Sequence, residues 1–547
     1  FLTSGLDFNF NNKGKAIYQF ENLAFGDAFS GNKHTLSGRY ATKNWMIWSN
    51  SSIMKSDSEL SNSSFSRSEN RSSYKLGKNW VGATVNLENN SEKLKATNTF
   101  SALSQRFLEY GAFVGRGDST KVFVELGFLQ RQNDSLQNNR IERVNHSNSY
   151  YLKSQLIKTE KSNLSVFLNY RTLKYEDSNL KDEPSLNSRI LYSDRFFGQL
   201  IQTTTAYETS SGTIAQQEFT YLQVEPGQGV YMWNDYNGNG IQELQEFEIA
   251  PYSDLAIYVR VFLPNQVFVR THQNKFSQAL NFNFNQWQNE KGFKKFASHF
   301  YNQTSFLIDR KIKRNGANFD LNPFSKEEEE LIGLNTNFRN SLFFNRGKQH
   351  HSTTYSFLLN ESQNLLSVGS ISAKNQSHQL QYQHLVKKSW LFNFSGSTTS
   401  TESTSENYPN RNFEIDGYQI EPKIGYLFSK NASWDIFYEF QQKENQIGAF
   451  ETLKQTRLGT SFTFNSEKGF SMNGEFSMYN NSYDGNALSA VGFQMLEGLQ
   501  PGKNQTWHLL LQKNLTQYLD VNINYQGRNS ETSKTIHTGN VQLRAFF

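Results

Sequence analysis

Apolar and polar residues alternate along most of this chain. Leu6, Phe8 and Phe10 interleave with Asp7, Asn9 and Asn11. Val122, Val124, Leu126 and Phe128 share one face, and Leu164, Val166, Leu168 and Tyr170 oppose Ser165, Asn169 and Arg171. Leu280, Phe282 and Phe284 repeat the pattern, as do Phe470, Met472, Phe476 and Met478, then Leu519, Val521, Ile523 and Tyr525. A period of two puts each set on one side of a β-strand. The other side is mainly Asn, Ser, Gln, Arg and Glu. The final strand, from Val541 to the terminal Phe547, ends on an aromatic as the closing strand of an outer-membrane barrel does. Ala545 is small for a lipid-facing position, and Phe546 puts a ring on the lumen face.

Two kinds of connection separate these strands. Short polar turns are predicted at Thr42-Lys43-Asn44, Gly77-Lys78-Asn79, Thr159-Glu160-Lys161, Lys387-Lys388-Ser389, Ser429-Lys430-Asn431, Ser466-Glu467-Lys468 and Lys513-Asn514. Asn, Lys, Ser and Gly suit tight hairpins. Large rings follow closely at Trp45, Trp80, Trp390, Trp434, Phe470 and Tyr518, as an interfacial aromatic girdle requires. Longer polar stretches at residues 177–188, 398–411 and 480–487 read as outer loops. The short turns recur roughly every 35–45 residues, which is two strands and a loop. The expectation is an all-β, antiparallel transmembrane β-barrel of about 26 strands (roughly 22–30), with short periplasmic turns and longer extracellular loops. Residues 1–547 form one barrel domain in this reading.

Composition agrees. Of 547 residues only 36% are hydrophobic, yet 15% are aromatic, with 46 Phe and 26 Tyr. A soluble core of this size needs more aliphatic volume, and a disordered chain does not carry so many rings. No apolar run reaches about 18 residues, which excludes a transmembrane helix. The net charge of +5 is small and no basic block is present, so no nucleic-acid partner is expected. Cysteine is absent, which excludes disulfides and thiolate chemistry.

Parity and size set two further expectations. Bacterial barrels have an even strand number with both ends in the periplasm. The first strand here runs down into a short turn near Lys13, so its start lies outside, and native sequence is expected upstream of Phe1. A barrel of about 26 strands is roughly 50 Å across and needs a plug. That plug is expected upstream, folded from outer loops, or supplied by a partner.

One segment breaks the strand rhythm. Residues 233–247 contain Asp235-Tyr236-Asn237-Gly238-Asn239-Gly240-Ile241-Gln242-Glu243-Leu244-Gln245-Glu246, which meets the pattern D-x-[DN]-x-[DN]-G-x5-E at every position. Asp235, Asn237 and Asn239 would present oxygens at positions 1, 3 and 5. Ile241 would give its carbonyl, Glu243 would act directly or through water, and Glu246 would close the site with both oxygens. Calcium is hard and takes six to eight oxygens. The expectation is an EF-hand-like structural Ca2+ loop within an insertion at 226–252, without the paired long helices of a switch.

Weaker candidates carry blander readings. Lys326-Glu327-Glu328-Glu329-Glu330 reads as a short acidic helix in an extracellular loop at 308–333. His350-His351 beside Arg346-Gly347-Lys348 reads as turn chemistry, since zinc would need further ligands. His378 and His384 share a face with Leu380 and Tyr382 and read as interfacial. No G-x-S-x-G, Walker A or H-E-x-x-H motif appears, and no catalytic role is assigned.

The run Tyr231-Met232-Trp233-Asn234-Asp235-Tyr236-Asn237-Gly238-Asn239-Gly240-Ile241-Gln242-Glu243-Leu244, then Glu246-Phe247-Glu248, resembles a segment of large outer-membrane barrel proteins of Bacteroidota. The resemblance covers roughly residues 228–285 and includes Tyr258-Val259-Arg260-Val261-Phe262 and Asn274-Lys275-Phe276-Ser277-Gln278. It implies a barrel in the bacterial outer membrane, in contact with lipid and lipopolysaccharide. The width of the barrel, rather than the resemblance, leads to an expectation of protein partners such as surface lipoproteins, a plug or secretion components. The leading expectation is a wide, non-enzymatic barrel in an export, translocation or surface-assembly complex. A TonB-dependent-like nutrient-uptake receptor and a scaffold or adhesin-type barrel are the alternatives.

Overall fold

The computed structural model describes the chain except residues 27, 119, 178, 216–217, 264–267, 315, 317–318, 326–330, 349, 367–368, 467–468, 517 and 547. Neighbouring strands pair antiparallel in one 25-stranded sheet, and four shorter strands form a second sheet of their own. Pairing follows chain order from Leu2–Asn9 to Ile536–Ala545. It is interrupted only between Ile201–Ala215 and Phe268–Asn283, where the small sheet is inserted.

The register explains the alternation. Directly paired residues share a face. Ile523 pairs with Val541 and Val521 with Leu543 on one side, while Asn522 pairs with Gln542 and Asp520 with Arg544 on the other. Along many strands the apolar row is exposed, as at Val114 and Leu126 (both 53%), Ile436 (45%) and Leu458 (53%). The polar row instead finds partners inside. Glu125 accepts from Arg71 at 2.8 Å, Trp80 Nε1 at 3.0 Å and Tyr151 at 3.2 Å. Apolar outside and hydrogen-bonded polar inside is the inverse of a soluble domain, and it marks a transmembrane β-barrel of the outer-membrane kind. No helix among the described residues is long and apolar enough to cross a membrane; the chain crosses with strands.

Among the described residues the main sheet has 25 strands, within the expected range of roughly 22–30. Its first and last strands therefore run in the same direction, and among the described residues no pairing links them. Antiparallel closure needs an even number. Several expectations change. Trp80 is not a girdle residue: the register puts it on the lumen side, where its N–H reaches Glu125. The turn predicted at Lys513-Asn514 comes later, because Gly502–Thr516 continues through a bulge between Asn514 and Thr516.

The outer loops are shorter than their polarity suggests. Glu183–Phe196 starts inside the predicted 177–188 loop, Trp390–Ser405 runs into the 398–411 stretch, and Phe470–Asp484 into 480–487. These strands extend past the hydrocarbon layer, where both faces are hydrated and the alternation fades while the backbone pairing continues. Likewise Phe300–Lys313 keeps residues 308–313 of the predicted 308–333 loop in the sheet, and Leu331–Phe344 resumes at its end. Residues 326–330, expected as an acidic helix, lie outside the described residues.

Candidate functional site

The insertion is a folded unit running from residue 218 to 263. Its strands Glu218–Gln223, Tyr231–Trp233, Phe247–Ile249 and Tyr258–Leu263 form an antiparallel sheet. Aromatic side chains make its core. Phe219, Phe247 and Tyr258 are buried, and Tyr221 stacks on Phe247 with centroids 4.0 Å apart at 9°. Burying each such ring contributes about 1.5–3 kcal/mol, enough for a small sheet to hold its shape without a large hydrophobic centre.

The Asp-Asn-Gly loop joins Tyr231–Trp233 to Phe247–Ile249. Asp235 Oδ1 accepts from Gly238 N at 2.7 Å and Asn239 N at 3.1 Å, and Oδ2 accepts from Gly240 N at 2.9 Å. Asn237 Oδ1 accepts from Asn239 N at 3.0 Å, and Asn239 Oδ1 from Ile241 N at 2.6 Å. Gly238 and Gly240 both take φ of 72°, the left-handed region where a Cβ is costly. Ile241 is exposed, so its side chain plays no part in packing and only its carbonyl is a ligand candidate. Glu243 accepts from Asn237 Nδ2 at 2.9 Å and Gln245 Nε2 at 2.6 Å. Glu246 is 2% exposed and accepts from Trp233 Nε1 at 2.8 Å and Tyr236 N at 3.3 Å, and Glu243 N reaches it at 3.4 Å.

The side-chain oxygens of Asp235, Asn237 and Asn239 thus accept from the loop's own backbone, and Glu246 is buried with neutral N–H donors only. Hard oxygens are what calcium takes, and Asp235, Asn237, Asn239, Ile241, Glu243 and Glu246 are the residues that would have to hold it. The carboxylates of Asp235, Glu243 and Glu246 do not converge within 4.8 Å of one another. Glu243 and Glu246 instead form a reciprocal cap on the single helical turn Leu244–Glu246.

Two sets of contacts dock this unit to the barrel. On one side Arg411, in the loop after Trp390–Ser405, donates to Gln245 O and to Glu248. Burial raises the Glu248 carboxyl above its ordinary range, opposed by the Arg411 charge. Burial also raises the Tyr236 phenol, whose hydroxyl donates to Glu248 at 3.3 Å. On the other side Asp254 accepts twice from Arg528, at 2.6 and 2.7 Å, and Ser253 lies 2.7 Å from Gln526 Nε2. The hydrogen bonds and charge of Arg528 hold the Asp254 carboxyl below its usual range. The Arg528 guanidinium also sits 4.1 Å from the Tyr252 ring centroid.

These contacts place the unit in the lumen. The insertion leaves the wall between the twelfth and thirteenth strands of the main sheet, whereas Leu519–Ser530 is the twenty-fourth. Gln526 and Arg528 share a face with Asn522 and Asn524, opposite the outward Ile523 and Tyr525. The unit therefore reaches across the barrel mouth at its long-loop end. A second element fills the same end. Ser489 caps the helix Ala490–Leu496, whose Val491, Met495 and Leu496 pack on the lumen-facing Ile415 and Leu453. Ala490 and Gln494 line a cleft shared with Phe219, Tyr221, Phe247 and Arg411.

Sequence reasoning located the loop but missed its docking residues. Arg411, Asp254 and Arg528 stand far apart in the chain, and nothing local marks them as partners.

No known protein family matches this chain, and no curated protein matches it by sequence. Among solved structures it is similar to BauA, the ferric preacinetobactin receptor from Acinetobacter baumannii, at 10% identity and a TM-score of 0.33, covering 98% of this chain and 78% of that one. The copper transporter OprC follows at 8% identity and 0.31, covering 96% and 83%. The open form of Fiu, the ferric-catecholate import receptor from E. coli K12, gives 9% and 0.27, covering 94% and 76%. At such scores the barrel is recognised from its own strand pairing.

Proposed function

We propose that this chain is a wide, non-enzymatic outer-membrane barrel serving a translocation, export or surface-assembly complex, with its own insertion as the mouth's gate. The supporting observation is the unit at residues 218–263, which crosses the lumen from the thirteenth strand to the Arg528 side. A cylinder of 25 strands is about 50 Å wide, and an open hole of that size would dissipate gradients and leak periplasmic contents. Polar tethers suit a gate, because ion pairs exchange with water at modest cost whereas an apolar plug would stay shut. Calcium in the Asp235–Glu246 loop would stiffen the gate, and millimolar external calcium suffices for a weak site. Surface lipoproteins or secretion components are the partner class.

Purification from native membranes in mild detergent tests the complex. Stoichiometric lipoprotein or secretion components support the reading. A barrel isolated alone that accumulates a small nutrient on energisation would move it to the uptake class.

A further inference from the structure

We infer that His350, His351 and His384 form a site for a divalent transition-metal ion of the zinc class on the periplasmic rim of the outer wall. The strands His351–Leu366 and Gly369–Val386 pair His351 directly with His384. His350 sits in the preceding short turn and brings its ring within 5.1 Å of that of His384. One ring nitrogen from each residue lies within 4.8 Å of the others.

The three rings are close enough for one ion to bind them all, and one of their nitrogens lacks a partner. His350 Nδ1 and His351 Nδ1 are 3.2 Å apart. Two nitrogens bound to one tetrahedral zinc at 2.0–2.1 Å are about 3.3 Å apart. His384 Nδ1 is buried and has no hydrogen-bond partner, an expensive state for an imidazole nitrogen unless a cation takes its lone pair. Behind His351 stands a polar side chain that can orient its ring. Asn345 is buried and bridges His351 Nε2 (2.7 Å) and His299 Nδ1 (2.6 Å). As placed, Asn345 Nδ2 faces His351 Nε2; turning the carboxamide over, which exchanges two atoms of equal size, would put the oxygen on His351 Nε2–H. The ring would then present the Nδ1 lone pair toward His350, as an outer-shell partner does for a metal-bound histidine.

Imidazoles select zinc, nickel, copper or cobalt over calcium and magnesium. Three nitrogens leave a fourth position for water or an incoming ligand. Tyr382 stacks on His384 at 6.2 Å and 7°, so the ring cannot swing away without losing that contact. The ion would clip the turn at residue 350 to the next hairpin. This site is independent of the gate, on the opposite end and face of the wall.

Cobalt(II) titrated into the untagged, detergent-folded full chain tests the site by its visible d–d spectrum. One equivalent of tetrahedral cobalt, displaced by zinc, is expected. His384→Ala and the exposed His350→Gln should each weaken it by more than the about 10–100-fold that loss of an outer-shell partner costs. Asp235→Ala should leave it unchanged. His350→Gln is a turn substitution that the strands do not depend on, so its loss of binding is not a folding failure. No tetrahedral band, or equal binding in wild type and His350→Gln, would overturn the assignment.

Discussion

Arg528 and Asp254, 274 positions apart in the chain, face each other through two hydrogen bonds of 2.6 and 2.7 Å across the barrel mouth. Bidentate guanidinium–carboxylate pairing adds direction to attraction. Both side chains are largely covered, at 17% and 23% exposure. Arg528→Ala should weaken docking by about 1.5–3 kcal/mol, the range for hydrogen bonds to charged groups. Hydrogen exchange over residues 218–263 should rise while the wall strands stay protected. Arg528→Lys should recover only part, because a point charge cannot serve both oxygens.

The same pair sets an acid limit. Arg528 lowers the Asp254 carboxyl in the docked state, whereas an undocked Asp titrates near its ordinary value of about 3.9. The docking contribution is therefore fully present above that value and is lost as pH falls through the lowered, docked pKa. Glu248 carries the opposite sign. Its raised pKa favours the docked state below the ordinary range, and that contribution disappears as pH rises through the docked value. Asp254→Asn should remove the acid-side release, and Glu248→Gln should remove the weakening on the alkaline side. Protease accessibility of the insertion against pH reads both.

Calcium should stabilise the loop without altering the wall. At one hundred times its dissociation constant a ligand adds about 2.7 kcal/mol. Asp235→Ala and Glu246→Ala should lower the insertion's melting temperature in calcium but much less in chelator. Equal stability of the wild type in both conditions would remove the metal assignment.

Leu453 has no exposure and touches the lumenal helix through Met495 and Leu496. Leu453→Ala should cost about 2–5 kcal/mol and raise exchange in Ala490–Leu496. Leu458, 53% exposed on the lipid side of the same strand, should tolerate Ala far better in exchange of that helix.

Much of this barrel was legible because lipid imposes period two on a strand. Ile523 and Val541 face out and Asn522 and Gln542 face in whatever the loops do. Trp80 shows the limit: its distance from the turn suggested a girdle, but a one-residue difference in phase sends a ring to the lumen. Loop polarity misled where Ser403 and Thr404 stay paired beyond the membrane. The Asp235–Glu246 loop was visible because its motif residues all lie within one short stretch of chain. The tether Arg411–Glu248 and the trio His350, His351 and His384 were not, since strand register alone brings them together.

Single-channel conductance in planar bilayers tests the gate most directly, comparing the wild type with an Arg411→Ala/Arg528→Ala variant that lacks both tethers. A wild type near zero and a variant opening in large steps is the predicted result. A wild type steadily open at full width, or two proteins with the same conductance, would contradict a gate built from residues 218–263.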